Sequence, residues 1–314
     1  MRFLAAILSV LMALEQGPAQ QRLQKLVLNV TDARGRYILN MTEKDFIVEE
    51  DGAPQKIASF TPDSDTPISF GLLIDKSTSM RLPMYVQGQT TSPAALLVAA
   101  GIGRAIVKLM NPQDEFMLMT FDESLQVKQN FTEDHKKIDN ELYKLHFVGG
   151  ATHLYESVLK ALDRMKKAKH RRRALLVITD AYDTSGKPLE DFRYKISSEE
   201  IQVFVCGLRA VLENVTDPQA EPLFQLVLKT FSRDTGGLSM IVDVPDYQTT
   251  STIEGLIGFA RIVAMELRGQ YTLGYYSDKT GSLASLQIRV RANLPDLRVR
   301  IRRDAEQPAP KRGQ

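Results

Sequence analysis

Gly71-Leu72-Leu73-Ile74-Asp75-Lys76-Ser77-Thr78-Ser79-Met80 is the stretch on which the reading of this chain turns. An apolar run with the character of a buried strand stops at an aspartate, and two serines follow at alternate positions. Oxygen ligands just past a strand end are what a hard divalent cation needs. The carboxyl ends of strands are also where open α/β sheets bind their ligands. One decapeptide therefore raises a fold, a metal and a working surface together.

Outward from it, apolar runs alternate with helical patterns from Ile68 to about Leu267. Strands are expected at 68–74, 115–121, 125–129, 174–178, 201–206 and 238–244. Helices are expected at 92–110, 133–145, 153–168, 188–200, 219–233 and 248–267, with Ser92 as an N-cap and Pro93 in the first helical position. Strands alternating with helices of this length predict an α/β fold, a doubly wound, mostly parallel sheet with helices on both faces.

The flanks read as β. Asp32-Ala33-Arg34-Gly35 supplies a turn after Lys25–Val30, and Asp51-Gly52 predicts a hairpin between 45–50 and 55–60. Thr61 to Pro67 reads as a polar linker. Gln270–Tyr276, Leu286–Arg291 and Leu297–Ile301 read as further strands, with a turn at 278–281. The expected organisation is a signal peptide at 1–19, an N-terminal β segment at 20–65, the α/β domain at 66–268, a C-terminal β segment at 269–304 packing with the N-terminal one, and a disordered tail at 305–314. The two β segments would form one small domain.

Composition narrows the function. The 314 residues carry 40 Lys and Arg against 38 Asp and Glu, so no bulk charge favours a nucleic-acid partner. Arg2, the apolar run Phe3–Leu14 and Gly17-Pro18-Ala19 have the form of a secretory leader. This predicts export to the periplasm, outer envelope or extracellular space. No other apolar stretch is long enough to span a membrane, so no transmembrane segment is expected in the mature chain. Cys206 is the only cysteine, in a strand-like run, and reads as inert core without a disulfide. That usage suits a bacterial envelope protein.

Three places offer oxygen at predicted strand ends or loop tips: Asp75, Ser77 and Ser79; Thr152 after Gly149-Gly150-Ala151; and Asp180 after Thr179. Two carboxylates and three hydroxyls suit Mg²⁺, with Mn²⁺ or Ca²⁺ as alternatives, and suit Zn²⁺ poorly. Neutral hydroxyls leave such an ion under-neutralised, so it would attract an Asp or Glu carboxylate of a partner protein.

The same residues carry a resemblance. Asp75-Lys76-Ser77-Thr78-Ser79, Thr152 and Thr179-Asp180 resemble the signature of the von Willebrand factor type A domain, whose Rossmann-like sheet holds a metal-ion-dependent adhesion site. Ala181 departs from the glycine usual in that family. Val30–Gly35, Asp45–Gly52 and Tyr271–Tyr276 resemble the flanks of exported proteins related to this family in Acidobacteria. The resemblance covers nearly the whole mature chain. It implies metal ligation by Asp75, Ser77, Ser79, Thr152 and Asp180, and a binding or adhesion role.

No catalytic assembly is legible. There is no Gly-x-Ser-x-Gly elbow or phosphate loop, and no base accompanies Ser77. A non-enzymatic protein-binding module is therefore expected. The alternative is a structural scaffold of the cell envelope whose metal site is vestigial or purely stabilising. The basic run Lys166–Arg173 reads as a solvated helix end, with an acidic partner or a membrane surface as the alternative. Asp183 reads as a solvated loop acid, with a part in shaping the loop as the alternative. His146 and His153, which lack the Cys or paired His spacing of a zinc site, read as ordinary loop histidines. Asn29, Asn40, Asn130 and Asn214 each begin an Asn-x-Thr sequon.

Overall fold

The computed structural model describes residues 22–80, 84–86, 89–91, 94–146, 149–196, 201–210, 220–233, 235–244, 250–277, 279, 288–292 and 294–303. The expected leader at 1–19, tail at 305–314, Ser92-Pro93 cap, helical residues 197–200 and most of the 278–281 turn lie outside them.

The N-terminal part forms β1 (Arg22–Thr31), β2 (Phe46–Glu50), β3 (Ala53–Gln55) and β4 (Ile57–Pro62). The middle follows as β5 (Ile68–Asp75), β6 (Met84–Val86), β7 (Gln89–Thr91), α1 (Ala94–Leu109), β8 (Glu115–Phe121), β9 (Leu125–Thr132), α2 (His135–Tyr143) and α3 (Leu154–Met165). It continues through β10 (Arg172–Thr179), α4 (Leu189–Ile196), β11 (Gln202–Ala210), α5 (Ala220–Arg233), β12 (Ser239–Val244) and α6 (Thr250–Arg268). The last elements are β13 (Gln270–Ser277), β14 (Ile288–Ala292) and β15 (Arg298–Arg303).

The central sheet has six strands in the order β12-β11-β10-β5-β8-β9, parallel except for β9. Strand β5 lies in its middle, and all eight of its residues are buried. Side chains alternate across a strand. Phe70, Leu72 and Ile74 enter the core under α1, α2 and α6, while Leu73 enters the core under α3, α4 and α5. Gly71 shares the second face. A Cβ there would lie 2.6 Å from the Met165 sulfur and 2.9 Å from Leu175 Cδ1, so its absence lets α3 settle on the sheet.

Antiparallel sheets join the two ends of the chain. One runs β15-β1-β13-β4 and another β14-β2-β3, so each contains strands from before and after the central sheet. Leu26, Leu28, Val30, Phe46, Tyr271 and Tyr275 are among the residues of their shared core. The Asp51-Gly52 hairpin is present, with both residues at positive φ (48° and 82°), as a tight two-residue turn demands.

Two expectations are corrected. The single strand expected at 55–60 is split at Lys56: β3 pairs with β2, and β4 pairs with β13 in the other sheet. The polar stretch from Thr61 is no loose linker. Thr61 and Pro62 belong to β4, and Asp63 is buried, its N–H bonded to the Gln270 carbonyl and its carboxylate accepting from the Thr272 hydroxyl at 2.7 Å.

The basic run is also not wholly a solvated helix end. Lys166 and Lys169 do make exposed ion pairs with Asp163 and Glu133. Arg172, however, opens β10, and its guanidinium donates to the carbonyls of Asp63 (2.8 Å) and Leu267 (2.5 Å) and to the Gln270 amide oxygen (2.9 Å). The Asn29 amide donates to the Glu266 and Gly269 carbonyls from β1. Together they satisfy carbonyls that the end of α6 leaves unpaired. Asn29 is thereby buried, and Cys206 lies fully buried as a free thiol. No described helix is long and apolar enough to cross a membrane.

Gly237, just before β12, offers a direct test of this packing. A Cβ there would lie 1.9 Å from the Val203 carbonyl oxygen, and backbone cannot swing aside as a side chain can. Gly237→Ala is expected to destabilise the protein by about 3 kcal/mol or more, at the upper end of overpacking costs, as read by urea unfolding.

Candidate functional site

The register of β5 against β10 brings two sequence-distant loops together. Ile74 pairs with Ile178, so Asp75 and Thr179-Asp180 leave the sheet side by side. The chain runs from β5 to β8 on one side and returns to β10 on the other, which makes this edge a topological switch point.

Asp75 is fully buried. One carboxylate oxygen accepts from the Ser77 N–H at 2.9 Å, and the other from the Thr179 hydroxyl at 2.6 Å. The first bond bends the chain directly after the strand, as short Asp side chains do in turns. It leaves the Ser77 and Ser79 hydroxyls 3.1 Å apart. Ser79 also stands near enough to the Asp180 carboxylate to favour its charged form. Asp75, Ser77, Ser79 and Asp180 therefore form one connected polar cluster.

Thr152 arrives on a third loop. The Thr78 hydroxyl donates to the Gly150 carbonyl at 3.0 Å and accepts from the Gly150 N–H at 2.9 Å, and the Thr78 N–H bonds the same carbonyl. Gly149 and Gly150 take positive φ values of 86° and 132°, which glycine adopts freely. On the other side, the Thr152 N–H donates to the Thr184 hydroxyl, and the Thr184 N–H returns to the Thr152 carbonyl. Thr152 is buried and pinned between the loops that follow β5 and β10. Ala181 takes φ 62°, the left-handed conformation that a glycine would hold without penalty. An alanine holds that conformation at a cost of about 1–2 kcal/mol.

Electrostatics divide the acids into two kinds. Burial pushes the Asp75 carboxyl up to about 7, the negative charge of Asp180 adds to this, and hydrogen bonds from Thr179 and Ser77 oppose it. Burial also raises Asp180, against hydrogen bonds from Ser79 and the Tyr182 N–H. Asp122 behaves differently. Burial alone would raise it, yet the Lys76 ammonium, 3.0 Å away, holds it below the ordinary aspartate value. Among the described residues, no ion pair reaches Asp75 or Asp180, and no group of three or more His, Cys, Asp or Glu is gathered. The donor set of the cluster is carboxylate and hydroxyl.

Several supporting residues went unread in the sequence. Lys76, between the two candidate ligands, is buried and turned to Asp122. Thr78 and Thr184 are the stitches between loops. Asp183 is not a merely solvated acid: it accepts from the Tyr155 N–H at 3.1 Å and so caps the first turn of α3, where the N-cap residue His153 makes no side-chain cap. His146 makes a hydrogen bond with the nearby Lys144 carbonyl. Asp183→Ala is expected to lose about 1 kcal/mol of stability, the usual worth of an N-terminal cap, measured by thermal or urea unfolding.

Comparisons with known proteins fall on this region. The family model for the von Willebrand factor type A domain matches residues 71–183. No curated protein is similar in sequence. Among solved structures, BatB of Bacteroides thetaiotaomicron is 18% identical at a TM-score of 0.46, over 63% of this chain and 98% of its own. An aerotolerance-related membrane protein of Bacteroides fragilis is 18% identical at a TM-score of 0.47, over 64% and 98%. The vWF domain of the type V pili tip protein Mfa5 of Porphyromonas gingivalis is 12% identical at a TM-score of 0.44, over 62% and 95%. The matched residues begin in β5 and end in the loop that carries Asp180 and Asp183: the chain contains a von Willebrand factor type A domain.

Proposed function

We propose that Asp75, Ser77, Ser79, Thr152 and Asp180 hold a divalent cation, Mg²⁺ before Mn²⁺ or Ca²⁺, and that the protein, once exported, uses the site to take an Asp or Glu carboxylate from a partner protein. At the level of the family the domain is a protein-interaction module. The observation that carries the proposal is the pairing of the fully buried Asp75 carboxylate with the half-buried Asp180 carboxylate, which leave the sheet side by side, close enough for the charge of one to raise the other.

A buried carboxylate beside a second, half-buried one is costly unless a cation neutralises them. The Lys76 ammonium, next in the chain to Asp75, is committed to Asp122. Hydroxyls from Ser77 and Ser79 complete an all-oxygen set that matches a hard cation. A bound cation would supply positive charge that the two carboxylates and neutral hydroxyls leave available to an incoming carboxylate. The chain's own contribution is rigidity: the Asp75–Thr179, Thr78–Gly150 and Thr152–Thr184 bonds hold three loops in one arrangement.

Calorimetric titration of Mg²⁺ tests the proposal. Saturable binding is expected for the natural chain and binding weaker by roughly tenfold or more for Asp75→Ala, since even outer-shell losses cost that much. Circular dichroism is expected to show the fold retained. Unchanged Mg²⁺ affinity in Asp75→Ala would overturn the reading. A pulldown from source-cell envelope with Mg²⁺ against chelator then separates capture of a partner from a purely stabilising site.

A further inference from the structure

At the opposite end of β5, roughly 20–25 Å from Asp75 along an eight-residue strand, the start of the parallel sheet meets the antiparallel sheet. A cleft of about 400 Å³ lies between them. This is within the usual range for small-molecule sites. Its wall holds the basic side chains of Lys25, Arg171, Arg172, Arg173 and Arg302, with the His170 ring beside them, against the single acid Asp63.

We propose that this cleft binds a phosphate group, free or carried by a small molecule, between Lys25 of the antiparallel sheet and Arg171–Arg173 of the parallel one. The argument begins with Arg172. It is half-buried, and among the described residues every acceptor of its guanidinium is a neutral oxygen: the carbonyls of Asp63, Thr66 and Leu267 and the Gln270 amide. Burial pulls its pKa down to about 10; Asp63 and Asp114 resist this, while Arg268 and Arg302 add to it. The two nearby acids are partly spent. Asp114 is paired with Arg268, and the Asp63 carboxylate accepts from the Thr272 and Thr66 hydroxyls.

Among the described residues, no ion pair reaches Lys25, Arg171, Arg172 or Arg173, although Arg268 and Arg300 nearby each have one. Among the described residues, Arg173 bonds only the His170 carbonyl, and Nε2 of His170 is buried without a hydrogen-bond partner. Positive charge gathered in a partly desolvated cleft calls for a compact polyanion. Guanidinium forks fit tetrahedral oxyanions in paired hydrogen bonds. The anion would also join the two sheets, because its contacts come from both.

The test is calorimetry and thermal denaturation of the full chain with sodium phosphate, with glycerol phosphate, and with sodium chloride at matched ionic strength. Lys25→Gln and Arg173→Gln are the variants, since Arg172 also bonds α6 and its loss would confound folding. Saturable phosphate binding is expected, with a raised melting temperature, and affinity weaker by roughly tenfold in each variant, the worth of one charge-assisted hydrogen bond. Asp75→Ala is expected to bind phosphate normally. Tighter binding of glycerol phosphate would identify a phosphorylated small molecule as the ligand; tighter binding of phosphate would identify the free anion. No saturable heat, an equal response to chloride, or unchanged affinity in both variants would overturn the proposal.

Discussion

The burial of β5 is the constraint from which the other features follow. A strand with no exposed residue must bond neighbours on both edges and be covered on both faces. β10 and β8 supply the edges, and two groups of helices supply the faces. Polar groups are then expelled toward the strand's ends. At one end Asp75 begins a cluster of carboxylates and hydroxyls. At the other, Ser69 accepts from the His170 N–H and donates to Glu115, next to the arginines of β10. The same apolar run thus separates an acidic edge from a basic one.

The two ends of the sheet solve the cost of buried polarity differently. At the Asp75 end, neutral hydroxyls and loop N–H groups surround two carboxylates and supply no counter-charge. At the Arg172 end, neutral carbonyls surround a guanidinium and leave its charge standing. Each end is rigid, because the same hydrogen bonds that solvate the charge also tie loops or sheets together. The tie at the second end includes α6, whose last carbonyls are claimed by Asn29 from one sheet and Arg172 from the other.

What could be read in the sequence was whatever depends on near neighbours. The apolar run of β5, the Asp51-Gly52 turn and the alternation of strands with helices are local patterns, and each appears in the structure where expected. Asp75, Ser77 and Ser79 share one loop, Asp180 leaves the sheet beside them because β5 and β10 are neighbours in register, and Thr152 sits on a loop tied to both through Gly150–Thr78 and Thr152–Thr184. The misreadings share a different cause. Arg172 finds Leu267, Asp183 finds Tyr155, and Lys56 marks a change of sheet. Nothing within a few residues of these positions distinguishes them from solvated ones. Alternation continues through Lys56 unchanged, so only the pairing partners reveal that one strand has become two.

The first and last described strands, β1 and β15, are hydrogen-bonded neighbours running antiparallel, with Leu26 opposite Arg303 and Thr31 opposite Arg298. The start of β1 and the end of β15 therefore lie at the same end of the pair. Tension applied through these two strands would load their hydrogen bonds one after another, as a zipper opens, instead of all at once in shear. The antiparallel sheet would yield first under such a load. The parallel sheet, with the loops around Asp75, would sit outside the line of force.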